Sequence, residues 1–226
     1  MKKKLALGAL LLPLCFTATA ADNASLSSEK EKFSYGIGFQ IGQQLRADGM
    51  DVDAEAVSQA LKDTLKGEKP KFTMEEMQAA AESMQKKRVA QQQAAGDKNM
   101  AAGKAFLEKN KTVAGVTTLP SGIQYKVITK GNGKSPAPTD QVSVHYRGTL
   151  VSGVEFDSSY KRNQPATFPV NQVIKGWQEI LPMMKEGDKW EVAIPSDLAY
   201  GPPGRGGAIG PNETLIFEIE LLSIKK

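Results

Sequence analysis

Two textures of hydrophobic and polar positions divide the chain. From Leu26 to about Lys111 apolar residues recur at helical spacing. Phe33, Ile37, Ile41 and Leu45 stand four apart behind Ser28-Glu29-Lys30-Glu31, a capping-box pattern, and the run stops before Asp48-Gly49. Val57, Leu61 and Leu65 predict a second helix over about 54–66, closed by Gly67 and Pro70. Thr73-Met74-Glu75-Glu76 is a second capping pattern, followed by an Ala/Gln/Lys/Glu-rich stretch reaching about Lys111, which predicts a helix roughly 58 Å long. Its apolar positions Met74, Met77, Ala81 and Met84 cluster at the start. Beyond Val89 the face is polar until Phe106 and Leu107, so the pattern describes a solvent-exposed spacer, with Gly96 and Gly103 as places where it bends.

After Gly115 the period changes to two. Ile123 to Val127, Val142 to Val151, Trp190 to Ile194 and Thr214 to Leu222 alternate between Gly/Pro turns and predict strands. One helix interrupts them, with Val173, Ile174, Trp177, Ile180 and Leu181 on one face. Strands with a single amphipathic helix predict an α+β domain, an antiparallel sheet curled over that helix. The expected order is a segment 1–20, a helical segment 21–72, a long connecting helix 73–111 and a second domain 112–226. Two short helices and one helix start bury little apolar area alone. A homodimer seam built from the first helices, with Gly38 and Gly42, and the Met-rich start of the third solves this; a small monomeric bundle docked on the C-terminal domain is the alternative.

Composition narrows the chemistry. The 226 residues carry 29 Lys+Arg against 25 Asp+Glu. Lys2, Lys3 and Lys4, an apolar run from Leu5 to Phe16 and Thr17-Ala18-Thr19-Ala20-Ala21 follow the order of a secretory signal cleaved after Ala20. Its loss takes three lysines and leaves a charge near +1, and Lys86-Lys87-Arg88 is then a solvated helix face rather than a nucleic-acid footprint. The apolar run is too short to span a membrane, and nothing later comes closer. The one cysteine, Cys15, lies within that signal, so neither a disulfide framework nor a thiol nucleophile remains. His145 is the sole histidine, and alternation places it with Ser143 and Arg147 on the polar face of a strand opposite Val142, Val144 and Tyr146. No metal site or cofactor is expected.

What remains is a set of aromatics aimed at one interior: Tyr146, Phe156, Phe168, Trp177, Tyr200 and Phe217. Two features set a pocket apart from a plain core. After Tyr200, residues 201–211 hold Gly or Pro at eight of eleven positions, a shaped rim rather than a connector. Asp157, beside Phe156, needs a partner if buried, and Arg162 and the hydroxyls of Tyr146 and Tyr200 are candidates.

Five blocks in order, Val144-His145-Tyr146-Arg147-Gly148, Phe156-Asp157-Ser158-Ser159, Val173-Ile174-Lys175-Gly176-Trp177, Ala199-Tyr200-Gly201 and Pro211-Asn212-Glu213-Thr214-Leu215-Ile216-Phe217, resemble the FKBP-type peptidyl-prolyl isomerases over about residues 119–226. Ser34-Tyr35-Gly36-Ile37-Gly38 and Leu119-Pro120-Ser121-Gly122-Ile123-Gln124-Tyr125, with the signal and the long helix, resemble the macrophage infectivity potentiator-like branch of Gram-negative bacteria. The resemblance implies that 112–226 is the isomerase domain and that the protein is a homodimer acting on proline-containing unfolded polypeptides in the periplasm, with outer-membrane-associated or surface-exposed forms and macrolide ligands as further candidates. It places the proline pocket on Tyr146, Phe156, Asp157, Arg162, Val173, Ile174, Trp177, Tyr200, Ile209 and Phe217, with Trp177 as floor. Tyr146, Asp157 and Tyr200 take the catalytic roles. Asp157 either orients the twisted amide or only ties Arg162 to Tyr146. Ala166 stands where many relatives have an aromatic and Arg205 where many have His, which implies a wider wall and an altered peptide preference. A dimeric holdase chaperone with secondary isomerase activity is the alternative function, and a host-surface factor is a third.

Overall fold

A computed structural model describes residues 26–225, so the expected signal over 1–20 lies outside the described residues. They fall into two compact units that divide between Thr73 and Met74.

The first unit is a helix pair, α1 (Glu29–Ala47) and α2 (Ala54–Leu65). The capping box forms as the spacing predicts: the Glu31 amide donates to Ser28 Oγ at 3.2 Å and the Ser28 amide donates to Glu31 Oε2 at 2.9 Å. Asp53 caps α2 by accepting from the Ala56 amide at 2.8 Å. No residue of α1 is buried, and in α2 only Asp63 is, held by Gln59 at 2.5 Å and Lys71 at 3.6 Å. The apolar stripe remains outside: Phe33 is 72% exposed.

The second unit opens with α3 (Met74–Asn110). Its first two thirds are exposed throughout, as the polar middle requires. Its last third is docked, contrary to the free-standing spacer expected there. Gly96, Asn99, Gly103, Phe106, Leu107 and Asn110 form the one covered stripe. Gly96 and Gly103 do not serve as bends but as places of close approach, since a Cβ on Gly103 would stand 2.2 Å from Thr214 Oγ1 and one on Gly96 3.3 Å from Pro211 Cβ. Asn99 Nδ2 donates to the Pro211 carbonyl at 2.9 Å, and Asn110 Nδ2 donates to Gln124 Oε1 at 2.9 Å. Glycines and amide anchors thus hold this part of the helix alongside the half-buried Phe106 and Leu107.

The sheet that follows is antiparallel. Its strands are β1 (Val116–Thr118), β2 (Gln124–Thr129), β3 (Gln141–Leu150), β4 (Glu155–Ser158), β5 (Ala166–Pro169), β6 (Lys189–Ile194) and β7 (Leu215–Lys225), ordered β1-β2-β6-β7-β3-β4, with β5 on β3. The helix α4 (Lys175–Ile180) is shorter than the apolar periodicity implies: Val173 is extended and Ile174 is its N-cap, with a 3-10 turn over Val170–Gln172 before it and another over Leu181–Met183 after it. Trp177, Ile180 and Leu181 enter one core with Val142, Val144, Tyr146, Val192, Ile194, Leu215, Phe217 and Ile219. These are the alternate residues of β3, β6 and β7, so one face of the sheet is packed. On the other face His145 stacks on Tyr160 at 4.7 Å with Nδ1 2.9 Å from Ser159 Oγ, the polar-side position that alternation assigns.

Candidate functional site

The packed face does not close completely. A hollow of about 490 Å³ opens between β3, β4, β5, the start of α4 and the segment after β6. Trp177 is its floor. Only 4% of Trp177 is exposed, and three rings stand nearly perpendicular to the indole, Phe217 at 5.3 Å, Tyr146 at 5.5 Å and Phe168 at 5.9 Å. Edge-to-face contact places the positive rim of one ring on the negative face of the next, which fixes the walls against the floor. Phe156 continues the wall by meeting Phe217 at 5.6 Å and 86°. Val173 and Ile174 line the hollow from the extended residues ahead of α4.

Gly148 makes this wall feasible. It sits on β3 between Phe217 on one neighbouring strand and Asp157 on the other. A Cβ there would come within 2.5 Å of Phe156 Cζ and 2.9 Å of Phe217 Cε1, so the two rings occupy the space that any other side chain would take.

The one carboxylate in the wall is Asp157. Tyr146 Oη donates to its Oδ2, Arg162 Nη1 donates to its Oδ1 at 2.5 Å, and Arg162 Nη2 donates to Tyr146 Oη at 3.0 Å, closing a three-membered ring of contacts. Burial pushes the Asp157 carboxyl up, but the hydrogen bonds from Tyr146 and Arg162, with the guanidinium charge, outweigh it and hold the group below its ordinary value of 3.8. Tyr146 is displaced upward, first by burial and then by donating to Asp157. Tyr200, the third candidate, bonds elsewhere: its Oη accepts from Arg205 Nη1 at 3.1 Å, and the guanidinium lies 5.4 Å from the Tyr200 ring centre.

Of the ten residues assigned from sequence, Tyr146, Phe156, Asp157, Val173, Ile174, Trp177, Tyr200 and Phe217 line the hollow. Arg162 braces Asp157 instead, and Ile209 lines an adjoining hollow of about 420 Å³ with Phe156, Asp157, Arg205, Gly206, Gly207 and Ala208. Phe168, Gln172 and Arg205 line the main hollow without having been assigned to it. Phe168 was visible as one of the clustered aromatics; Gln172 lies in a 3-10 turn, where no periodicity points to it. Ala166 packs on the core beside the hollow.

Comparison with known proteins places this geometry. Residues 132–222 match the family model described as FKBP-type peptidyl-prolyl cis-trans isomerase, and residues 30–127 match that of the domain amino terminal to FKBP-type peptidyl-prolyl isomerase. The chain is 45% identical over 231 residues to the outer membrane protein MIP of Legionella longbeachae, spanning 100% of this chain and 99% of that one. It is 44% identical over 192 residues to the FKBP-type 22 kDa peptidyl-prolyl cis-trans isomerase of Escherichia coli strain K12, covering 84% of this chain and 93% of the relative. The crystal structure of FkpA from Escherichia coli superposes with a TM-score of 0.65 at 32% identity, over 89% of this chain and 99% of that one.

Proposed function

The chain belongs to the FKBP-type peptidyl-prolyl cis-trans isomerases, and from that membership we propose that it turns X-Pro bonds by seating proline on Trp177 and relaxing amide resonance without covalent chemistry. The observation that carries this is the open aromatic hollow itself: a core packed solid would admit no ring, whereas about 490 Å³ stands over the indole.

The chemistry asks for shape and dryness. Amide resonance imposes a barrier of about 18–20 kcal/mol although cis and trans X-Pro differ by only about 0.5–1 kcal/mol. At the twisted state the C–N bond loses double-bond character, the carbonyl becomes less polar and the nitrogen lone pair localises. Phe156, Val173, Ile174, Trp177 and Phe217 exclude water and clamp the ring, which disfavours the planar, more polar ground state relative to the twisted one. Removing about 5–8 kcal/mol of barrier gives roughly 10⁴- to 10⁶-fold acceleration. The Ile174 amide and the Tyr200 hydroxyl hold substrate carbonyls; the former forms no hydrogen bond among the described residues. Asp157, kept ionised by Tyr146 and Arg162, faces the rotating amide as a fixed negative charge. Replacing Asp157 or Phe217 by Ala lowers turnover of a short proline peptide; unchanged turnover in both variants rejects this site.

The enzyme works as an exported homodimer on unfolded envelope proteins. In support of the dimer, the helix pair buries no apolar side chain within itself, and Ile41, Leu45, Met50, Val52 and Leu61 line an open hollow of about 570 Å³ beside Gly38 and Gly42. A Cβ on either glycine meets nothing within 4 Å, so this surface is free to receive a second copy. Among the described residues no helix is long and apolar enough to cross a membrane. Mass measurement in solution tests the pairing, and a monomer at micromolar concentration ends it.

A further inference from the structure

We propose that Arg205 makes the hollow next to the proline seat a subsite for acidic side chains, so that X-Pro bonds with Asp or Glu immediately before or after the proline are preferred substrates. The proposal rests on the proline-seat reading above and adds a specificity to it.

The two hollows share Phe156, Asp157 and Arg205. A peptide with proline over Trp177 therefore brings a flanking residue, about 3.8 Å along the chain, to the mouth of the second hollow. The charges around that mouth are unequally matched. Asp157 is already paired with Arg162 at 2.5 Å, and Glu155, on the same strand, with Lys161 at 2.9 Å. Arg205 has only the Tyr200 hydroxyl and ring; no carboxylate lies within ion-pair distance of it among the described residues. One positive charge is left over.

The guanidinium is also aimed. Its hydrogen bond and ring contact with Tyr200 hold it at the junction of the two hollows, and a guanidinium so fixed presents its remaining N–H groups to a carboxylate as a planar fork. Beyond it the wall is Gly206, Gly207 and Ala208 with Ile209, three small residues and one apolar side chain that bring no carboxylate to compete for the guanidinium. Because Arg205 is exposed, the preference is modest, about two- to fivefold as for other exposed ion pairs.

The test uses the full chain and a protease-free measurement of cis-trans relaxation in two tetrapeptide series, one varying the residue before proline and one the residue after it, each with Glu, Gln and Lys. At low ionic strength Glu exceeds Gln in kcat/KM by about two- to fivefold in one of the series, with Lys below Gln. Added salt draws the ratios toward one. Arg205→Gln abolishes the Glu-over-Gln preference and Arg205→Glu inverts it toward Lys. Equal rates for Glu and Gln in both series with the unmodified chain overturn the proposal, and so does a preference that persists unchanged in Arg205→Gln. The salt dependence of the unmodified chain needs no variant and decides the matter if Arg205→Gln folds poorly. Each result is a ratio within one protein, so it stays distinct from the loss of turnover in Asp157→Ala and Phe217→Ala that tests the proline seat.

Discussion

Gly148→Ala isolates the geometry of the pocket wall from its chemistry. The substitution adds one methyl group and changes no charge. That carbon would stand 2.5 and 2.6 Å from Phe156 Cζ and Cε2 and 2.9 Å from Phe217 Cε1. Carbon atoms rest about 3.5–4.0 Å apart, so the rings must retreat by roughly 1 Å or the strand must shift. Phe217 is 5% exposed on central β7 and has little room, whereas Phe156 lies on edge strand β4 and yields first. Overpacking of this kind costs about 1–3 kcal/mol, partly offset by about 0.5–1 kcal/mol for removing a glycine from a strand interior. Net destabilisation of up to about 2.5 kcal/mol follows, measured by urea unfolding. Misplacing a wall by about 1 Å lowers kcat/KM for a short proline peptide by roughly 10- to 100-fold. In Gly148→Ala/Phe156→Ala the two nearest contacts are gone and only the 2.9 Å approach to Phe217 remains, so the stability loss is smaller than the sum of the single losses while activity stays low. Native stability together with native turnover in Gly148→Ala would falsify the close-approach argument, and simple additivity in the double variant would remove Phe156 as its partner.

Further outcomes follow from the other contacts. With its folded value depressed, Asp157 contributes stability that is complete above its ordinary value of 3.8 and is lost as pH falls through the lower folded value. Turnover of an uncharged peptide is therefore flat from about pH 5 to 8, and a titration midpoint inside that window contradicts an ionised Asp157. Asp157→Asn keeps the shape and removes the charge; lower kcat with little change in KM is expected, and a rise in KM alone would assign Asp157 to binding. Gly103→Ala drives a methyl group to 2.2 Å from Thr214 Oγ1, so hydrogen exchange speeds up over the last turns of α3 while those before Gly96 are unaffected; unchanged protection refutes the docking. Gly38→Glu puts charge into the open apolar surface of α1 and shifts the mass in solution from two chains toward one, and an unaltered mass moves the seam elsewhere.

The periodic parts of the chain were legible because their pattern is their packing. Tyr146 and Val144 alternate into the core as the strand period requires, and Ser28 with Glu31 closes the helix it announces. Strands β1, β4 and β5, of three or four residues each, hold too few positions for alternation to register. The docked stripe of α3 was hidden for a different reason. Helical periodicity is carried by apolar side chains, whereas Gly96, Asn99, Gly103 and Asn110 attach the helix by absence of side chain and by amide hydrogen bonds. At the site, a half-buried carboxylate demands partners, and of the three candidates for Asp157 the structure pairs Arg162 and Tyr146 with it, while Tyr200 bonds Arg205. Rim contacts of this kind depend on the path of a glycine-rich loop, which carries no period.

The loop after Tyr200 is stitched at its base: the Asn212 amide donates to the Gly201 carbonyl at 2.9 Å, and Asn99 on α3 clasps the Pro211 carbonyl at 2.9 Å. Between those stitches Gly204, at φ +66°, leaves the Gly210 carbonyl oxygen 2.5 Å from where a Cβ would stand, and Gly206 and Gly207 also hold positive φ, so residues 202–208 are a shaped arch on a fixed socket. Variation of the rim is thereby confined to positions such as Arg205 and Ala208, where a side chain can change while the glycines keep the path of the arch.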